Sequence, residues 1–316
     1  MKLKARRSVI IILILSALTV IAGYFAHQHL PILWADKSWI TDLGYEESEI
    51  SEMTFNWHGE RSCPEIPVSI GNNTFKLGFD TGCGSGIFFT DVMEEKIDYT
   101  LLHRAEALNR DGSHRGWENR VQVNEISVFG DTYNNIETSI SDWSMFSSKK
   151  FNGTIGLAYF KDKVVTLDFE GHQIGVKSHS IDYTKLDSDM YVVLPLYKTT
   201  TEGQRDLPFF EAEYNGVPVM IYMDTGKNYS FLFNPDSDKT IGDKPSQFFD
   251  IPLKIGDMEL VLRDISEVNN FAQVEGLPYS TMIELNSDQI WKCNLLVTFD
   301  LIEQKIVLRK RSLNDG

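Results

Sequence analysis

The sequence is poor in cysteine. Only Cys63, Cys83 and Cys293 occur in 316 residues, and no two have C-x-x-C spacing. A disulfide scaffold and a zinc ribbon are therefore excluded, with room left for one disulfide and one free thiol. Histidine is also scarce: the seven residues form no H-E-x-x-H or other paired metal spacing. Basic charge falls short of acidic charge, 30 residues against 45, for a net −15. Four of the basic residues, Lys2, Lys4, Arg6 and Arg7, precede the first acid. A body this acidic repels phosphate backbones, so nucleic acid is not expected as a partner. Low-complexity tracts are missing, and a hydrophobic content of 42% excludes global disorder. At 36.1 kDa the chain suits one large domain or two moderate ones.

One long apolar run is present. Residues 8–26, SVIIILILSALTVIAGYFA, carry no charge over 19 positions, about the thickness of a bilayer core at 1.5 Å per residue. The basic segment 1–7 precedes it and is expected to stay cytoplasmic, sending the rest of the chain outward. The run is read as an uncleaved signal-anchor, because a small-x-small cleavage site does not follow it. Residues 27–56, with Pro31, Trp34, Trp39 and the acids Glu46, Glu47 and Glu49, read as a spacer containing some short helix.

The remainder is organised by an internal repeat. Residues 66–89, IPVSIGNNTFKLGFDTGCGSGIFF, resemble residues 212–233, AEYNGVPVMIYMDTGKNYSFLF. Each copy has a strand, a turn with Asn and Gly, and a second apolar strand running into Asp-Thr-Gly. These tripeptides are Asp80-Thr81-Gly82 and Asp224-Thr225-Gly226. A second half follows: Val165-Thr166-Leu167-Asp168-Phe169 before GHQIGV, and Val297-Thr298-Phe299-Asp300-Leu301 before EQKIVL. Both read as β-hairpins. The repeat divides the chain into a first lobe over 57–177, a polar linker over 178–190 and a second lobe over 191–310. Short strands with turn residues between them predict an all-β architecture. The best helical candidate is 90–108, TDVMEEKIDYTLLHRAEAL.

The doubled Asp-Thr-Gly carries the chemistry. Two carboxylates about 3 Å apart cannot both ionise, so they share one proton and offer a base and an acid in the same state. The ionised partner can take a proton from an attacking water while the protonated one hydrogen-bonds the carbonyl oxygen. Gly after the Thr allows a tight turn beneath the carboxylate, and the Thr hydroxyl can bridge to the opposite loop. Pseudo-twofold symmetry places Asp80 and Asp224 face to face. Asp168 and Asp300 read as structural, each heading a hairpin and able to satisfy backbone N–H groups. Cys83 reads as a small buried filler.

An apolar strand ending in Asp-Thr-Gly, once per lobe, resembles the pepsin and retropepsin class of aspartic proteases over about residues 60–310. That resemblance implies a bilobal acid-protease fold, behind one transmembrane helix, and an endopeptidase with Asp80 and Asp224 as the catalytic pair. Thr81, Gly82, Thr225 and Gly226 would support it. It implies water as nucleophile, a polypeptide substrate, a monomeric catalytic unit, and no metal or organic cofactor. Thr154-Ile155-Gly156 matches the family's apolar-apolar-Gly element, whereas the second copy has Asn286 where Gly would stand. Gly112, Ser113 and Gly116 match the spacing of the family's flap, with Asn109 in place of its Tyr. Lys227 follows the second Asp-Thr-Gly, where the family has a small residue. The alternative is a protease-fold protein that binds peptides or a partner with little or no turnover. The catalytic body is expected on the far side of the membrane from the basic N-terminus.

Overall fold

The computed structural model describes Thr19 and residues 35–55, 62–84, 86–108, 114–142, 151–227, 229–237, 248–269 and 274–310. Apart from Thr19, the expected anchor over 8–26 lies outside the described residues. No helix among the described residues is long and apolar enough to cross a membrane. The fold is all-β, as expected. Among the described residues the α-helices with both ends described are the short α1 (Ser38–Asp42) and α2 (Ser287–Lys292).

The stretch read as a spacer supplies β1 (Ile50–Glu52) and β2 (Thr54–Phe55), and the first copy of the repeat supplies β3 (Pro64–Ile70), β4 (Asn73–Phe79), β5 (Ile87–Thr90), β6 (Tyr99–Leu108), β7 (His114–Val128), β8 (Asp131–Ser141), β9 (Gly153–Ile155), β10 (Val164–Asp168) and β11 (Gln173–Lys177). The second supplies β12 (Tyr191–Pro195), β13 (Phe209–Tyr214), β14 (Val217–Met223), β15 (Phe231–Phe233), β16 (Phe249–Ile255), β17 (Met258–Val268), β18 (Met282–Leu285), β19 (Leu295–Asp300) and β20 (Lys305–Lys310).

In the second copy, six strands close a barrel in the order β13-β14-β18-β15-β17-β16. The first copy, with β2, forms an eight-stranded sheet in the order β2-β3-β4-β9-β5-β8-β7-β6. An added β3–β7 pairing closes six of those strands into the same ring, with β2 and β6 as extensions. Alternation explains the ring interiors. On β3, Ile66, Val68 and Ile70 are buried between more exposed neighbours, and on β16 Ile251, Leu253 and Ile255 repeat the pattern.

A third sheet joins the copies in the order β1-β11-β10-β19-β20-β12. The two expected hairpins, β10–β11 and β19–β20, lie side by side, and β10 pairs antiparallel with β19 with Thr166 opposite Thr298. Those hydroxyls are 2.8 Å apart, and an approximate twofold passes between them. Every residue of β10 and β19 is buried because both faces of the sheet are covered. One face carries Val165, Leu167, Val297 and Phe299 in the main core. The other carries Val164, Leu296 and Val307 beneath Trp39, Leu43, Tyr45 and Tyr191.

The stretch read as a spacer therefore packs into the fold where it is described. Trp39 is fully buried and its Nε1 donates to Asp168 Oδ2 at 2.9 Å. The strand β1 takes the same place beside β11 that β12 takes beside β20. The polar 178–190 segment is tied down as well: Ser180 and Tyr183 hydroxyls both donate to Asp300 Oδ2 at 2.6 Å. Asp168 and Asp300 have the structural role expected of them, with Oδ1 atoms accepting from Gly171 N–H and from Ile302 and Glu303 N–H.

The helical expectation for 90–108 is corrected. After a single 3-10 turn at Asp91–Met93, residues Tyr99–Leu108 run as strand β6 along β7. Leu, Ala, Glu and Arg favour helix locally, but a long ladder with β7 supplies backbone partners that an isolated helix would have to find for itself. A register shift between Leu101 and His103 further breaks the alternation a sequence reader would use.

Candidate functional site

The two Asp-Thr-Gly turns leave equivalent strands. β4 pairs in parallel with β9 and β14 with β18, so each turn begins beside the strand that carries the later apolar element. The bonds repeat: Asp80 N–H donates to Ile155 O and Asp224 N–H to Leu285 O, both at 3.0 Å. Cys83 N–H closes the first turn on Asp80 O, and Lys227 N–H closes the second on Asp224 O.

The turns meet at their threonines. Thr81 is 1% exposed and Thr225 fully buried. Thr81 Oγ1 donates to Met223 O at 2.7 Å and accepts from Thr225 N–H at 3.1 Å. Thr225 Oγ1 donates to Phe79 O at 2.5 Å and accepts from Thr81 N–H at 3.0 Å. Both hydroxyls and both amides of this buried crossing have partners, so the two loops hold one relative position.

That crossing brings the carboxylates together. Gly82 N–H donates to Asp80 Oδ1 at 2.8 Å, and Gly226 N–H to Asp224 Oδ1 at 3.1 Å. Each carboxylate also lies against the glycine of the other turn. A methyl on Gly82 would stand 2.3 Å from the Asp224 carboxyl carbon, and one on Gly226 would stand 2.4 Å from that of Asp80. Glycine is required at both places by this close approach, in agreement with the expected face-to-face arrangement. Asp224 is only 3% exposed and Asp80 is half-buried.

The expected Gly element is present once and replaced once, and the packing explains both. A side chain at Gly156 would meet Cys83 O at 2.5 Å and Asp80 O at 3.2 Å. In the second copy Asn286 is itself built in: its amide donates to Lys227 O at 3.3 Å and its Oδ1 caps α2 by accepting from Gln289 N–H. Ser287 Oγ adds a bond to Thr225 O at 2.9 Å. Asn286 thus braces the second turn from the position where Gly156 merely makes room. Lys227 is half-buried, and its ammonium enters no ion pair among the described residues.

Of the flap candidates, Gly112 and Ser113 lie outside the described residues, and Gly116 lies on β7 of the long β6–β7 hairpin. Cys63, Cys83 and Cys293 are all free thiols. Cys83, expected to be buried, is only half-buried, and its Sγ accepts from Thr154 Oγ1 at 3.4 Å. Burial, and then the Asp80 and Asp224 carboxylates, hold the Cys63 thiol well above its ordinary range, so it stays protonated. Among the described residues no group of three or more His, Cys, Asp or Glu side chains is set to hold a metal ion. A cavity of about 240 Å³ lined by Leu157, Lys161, Tyr197, Arg205 and Gln304 includes neither Asp80 nor Asp224.

Two neighbours of the pair escaped the sequence reading. Tyr222 donates its hydroxyl to Asp224 Oδ2 at 3.1 Å. The signal was available, because residues two apart on a strand share a face, but Tyr222 reads as one more apolar strand residue. Cys63 lies far from the motif in sequence and nothing local marks it. No family model matches the chain, and no curated protein sequence matches it.

Proposed function

We propose that the chain is an aspartic endopeptidase of bilobal, pepsin- or retropepsin-like design, with Asp80 and Asp224 as its catalytic pair. The observation that carries the reading is reciprocity: each carboxylate is fixed by the N–H of its own glycine and packed on the glycine of the other turn. In this reading the two carboxylates share a proton. The ionised one takes a proton as the water oxygen bonds to the scissile carbonyl carbon. The protonated one passes its proton to the carbonyl oxygen, giving a gem-diol. Collapse of the gem-diol breaks the C–N bond and delivers a proton to the departing nitrogen. The basic N-terminus and apolar 8–26 support an anchored enzyme with its body outside the cytoplasm.

The test is cleavage of an unfolded protein by the detergent-purified full-length chain, from acidic to neutral pH, with and without pepstatin. Cleavage that pepstatin blocks and that Asp80→Asn and Asp224→Asn each lower by about 10²–10⁴-fold is the expected result. Peptide binding with no turnover by the wild-type chain would replace this reading with the binding one. Protease protection of residues 57–310 in sealed vesicles tests the orientation; finding them on the same side as the basic segment would overturn it.

A further inference from the structure

The two copies differ on the strand that leads into each carboxylate. Two residues before Asp224 stands Tyr222, and two before Asp80 stands Gly78. Tyr222 is fully buried on β14, stacked on Phe209 with ring centroids 5.2 Å apart, and packed among Leu207, Met220 and Phe233. Residues i and i+2 of an extended strand point the same way, so the phenol runs alongside the Asp224 side chain and reaches Oδ2. The other oxygen accepts from Gly226 N–H. At Gly78 no such side chain exists. The space there holds Cys63 Sγ, 2.9 Å from where a methyl would sit, and that thiol donates to the main-chain carbonyls of Phe79 and Pro64.

We propose that Tyr222 is a positioning residue that makes the pair unequal: its hydroxyl favours ionised Asp224 and leaves the shared proton on Asp80. The inference rests on the peptidase reading. A hydrogen bond donated to a carboxylate favours its charged form, and more strongly where water is excluded. Asp224 then takes the proton from water as its oxygen bonds to the carbonyl carbon, and Asp80 gives its proton to the carbonyl oxygen. In collapse, Asp224 returns its proton to the leaving nitrogen, and Asp80 recovers one from a gem-diol hydroxyl as the carboxylic acid product forms.

Other titratable groups face this bond. Asp80 lies across Gly226, Lys227 sits in the same turn, and Cys63 stays a thiol. Glu284, buried on β18, is in register with Tyr222. From β13 the facing neighbour is Phe209, and Glu211 further along engages the Tyr197 and Tyr279 hydroxyls. Tyr222 acts by direct contact.

The experiment follows aspartate carboxyl carbons by NMR in the full-length chain labelled with [4-13C]aspartate, with the Asp224 resonance identified by its loss in Asp224→Asn. In Tyr222→Phe the lower apparent pKa of the pair should rise by about half to one unit. The acid limb of kcat/KM should move up with it. Replacing Tyr222 with the more acidic 3-fluorotyrosine keeps the fold and should move both the opposite way. Phe209→Leu, which loosens packing but keeps the hydroxyl, should leave both in place. Superimposable titrations for wild type, Tyr222→Phe and the fluorinated chain would overturn the proposal. If the wild type cleaves nothing, the peptidase reading falls while the carboxyl titration still decides the role of Tyr222.

Discussion

Thr81 and Thr225 each accept the other's amide hydrogen and donate to a carbonyl on the opposite strand, four bonds within one buried crossing. Replacing a hydroxyl with a methyl leaves one carbonyl and one amide buried without their partner, at about 1–3 kcal/mol for each group. Thr81→Val should therefore destabilise the fold by about 2–6 kcal/mol, and Thr81→Ser, which keeps the hydroxyl, by about 1 kcal/mol or less for the lost methyl. Urea denaturation of the three proteins measures this. Equal stability of the Val and Ser variants would show that the crossing does not hold the loops.

Gly82 and Gly226 lead to a different expectation. A methyl at either site collides with the carboxyl group of the opposite turn, not with a flexible side chain. Overpacking of this kind costs about 1–3 kcal/mol of stability, whereas displacing a catalytic group by even 1 Å can cost about 10²-fold in rate. Gly82→Ala and Gly226→Ala should each fold and each lose activity by at least that factor. Comparable activity in either variant would mean that the two carboxylates do not act as a pair.

The paired Asp-Thr-Gly turns were more legible in the sequence than the scaffold around them. Asp80, Asp224, their Thr and Gly neighbours and the two hairpins could be found because the chain repeats itself, and repetition separates a motif from coincidence. The twofold at Thr166 and Thr298 follows from the same repeat. The strand β1 and the burial of Trp39 could not be read. Three strand residues in a polar, acidic stretch give no periodicity, and their partners on β11 lie more than a hundred residues away. The strand β6 was hidden because its residues favour helix and only the ladder with β7 overrides them. Asn286 looked like decay of the motif because a side chain that caps and braces cannot be told from one that merely intrudes until its hydrogen bonds are known.

Trp39 tests whether the N-terminal stretch belongs to the body. Its indole N–H is bonded to Asp168 Oδ2 and its ring meets Tyr45 edge-on at 5.4 Å. Trp39→Phe removes the donor and leaves a gap, for an expected loss of about 2–4 kcal/mol. A chain beginning at residue 57 would lose β1 and uncover Val164, Leu296 and Val307, and should not give a cooperative thermal transition. Full stability of that shortened chain would mean that 35–55 is a tether after all.

The same region predicts an alkaline limit. Burial raises the phenols of Tyr45 and Tyr191 far above their ordinary value of 10.0, with Asp42 adding to the effect at Tyr191. Below that pH both are protonated in folded and unfolded chains, and their contribution to stability is complete. Above it the unfolded chain releases the protons and the folded one does not, so stability falls as pH rises. The slope is about 1.4 kcal/mol per pH unit for each tyrosine. Tyr45→Phe should flatten the fall, as read from urea denaturation at successive pH values above 10. Equal slopes of stability against pH for wild type and Tyr45→Phe would contradict this.

Lys227 is the residue that most invites a regulatory reading, because it follows Asp224 so closely. A cation held against the pair would favour two ionised carboxylates and move the active range toward acid. Its backbone is committed: the amide closes the turn on Asp224 O and the carbonyl accepts from Asn286. Its half-buried side chain keeps access to water, where screening makes a charge at longer range worth little. Lys227→Ser should therefore keep activity and move the limbs of kcat/KM against pH by less than about one unit. A large gain in turnover on substitution would show that the native lysine suppresses the pair, and the chain would then be better understood as a peptide binder whose catalytic groups are held in check.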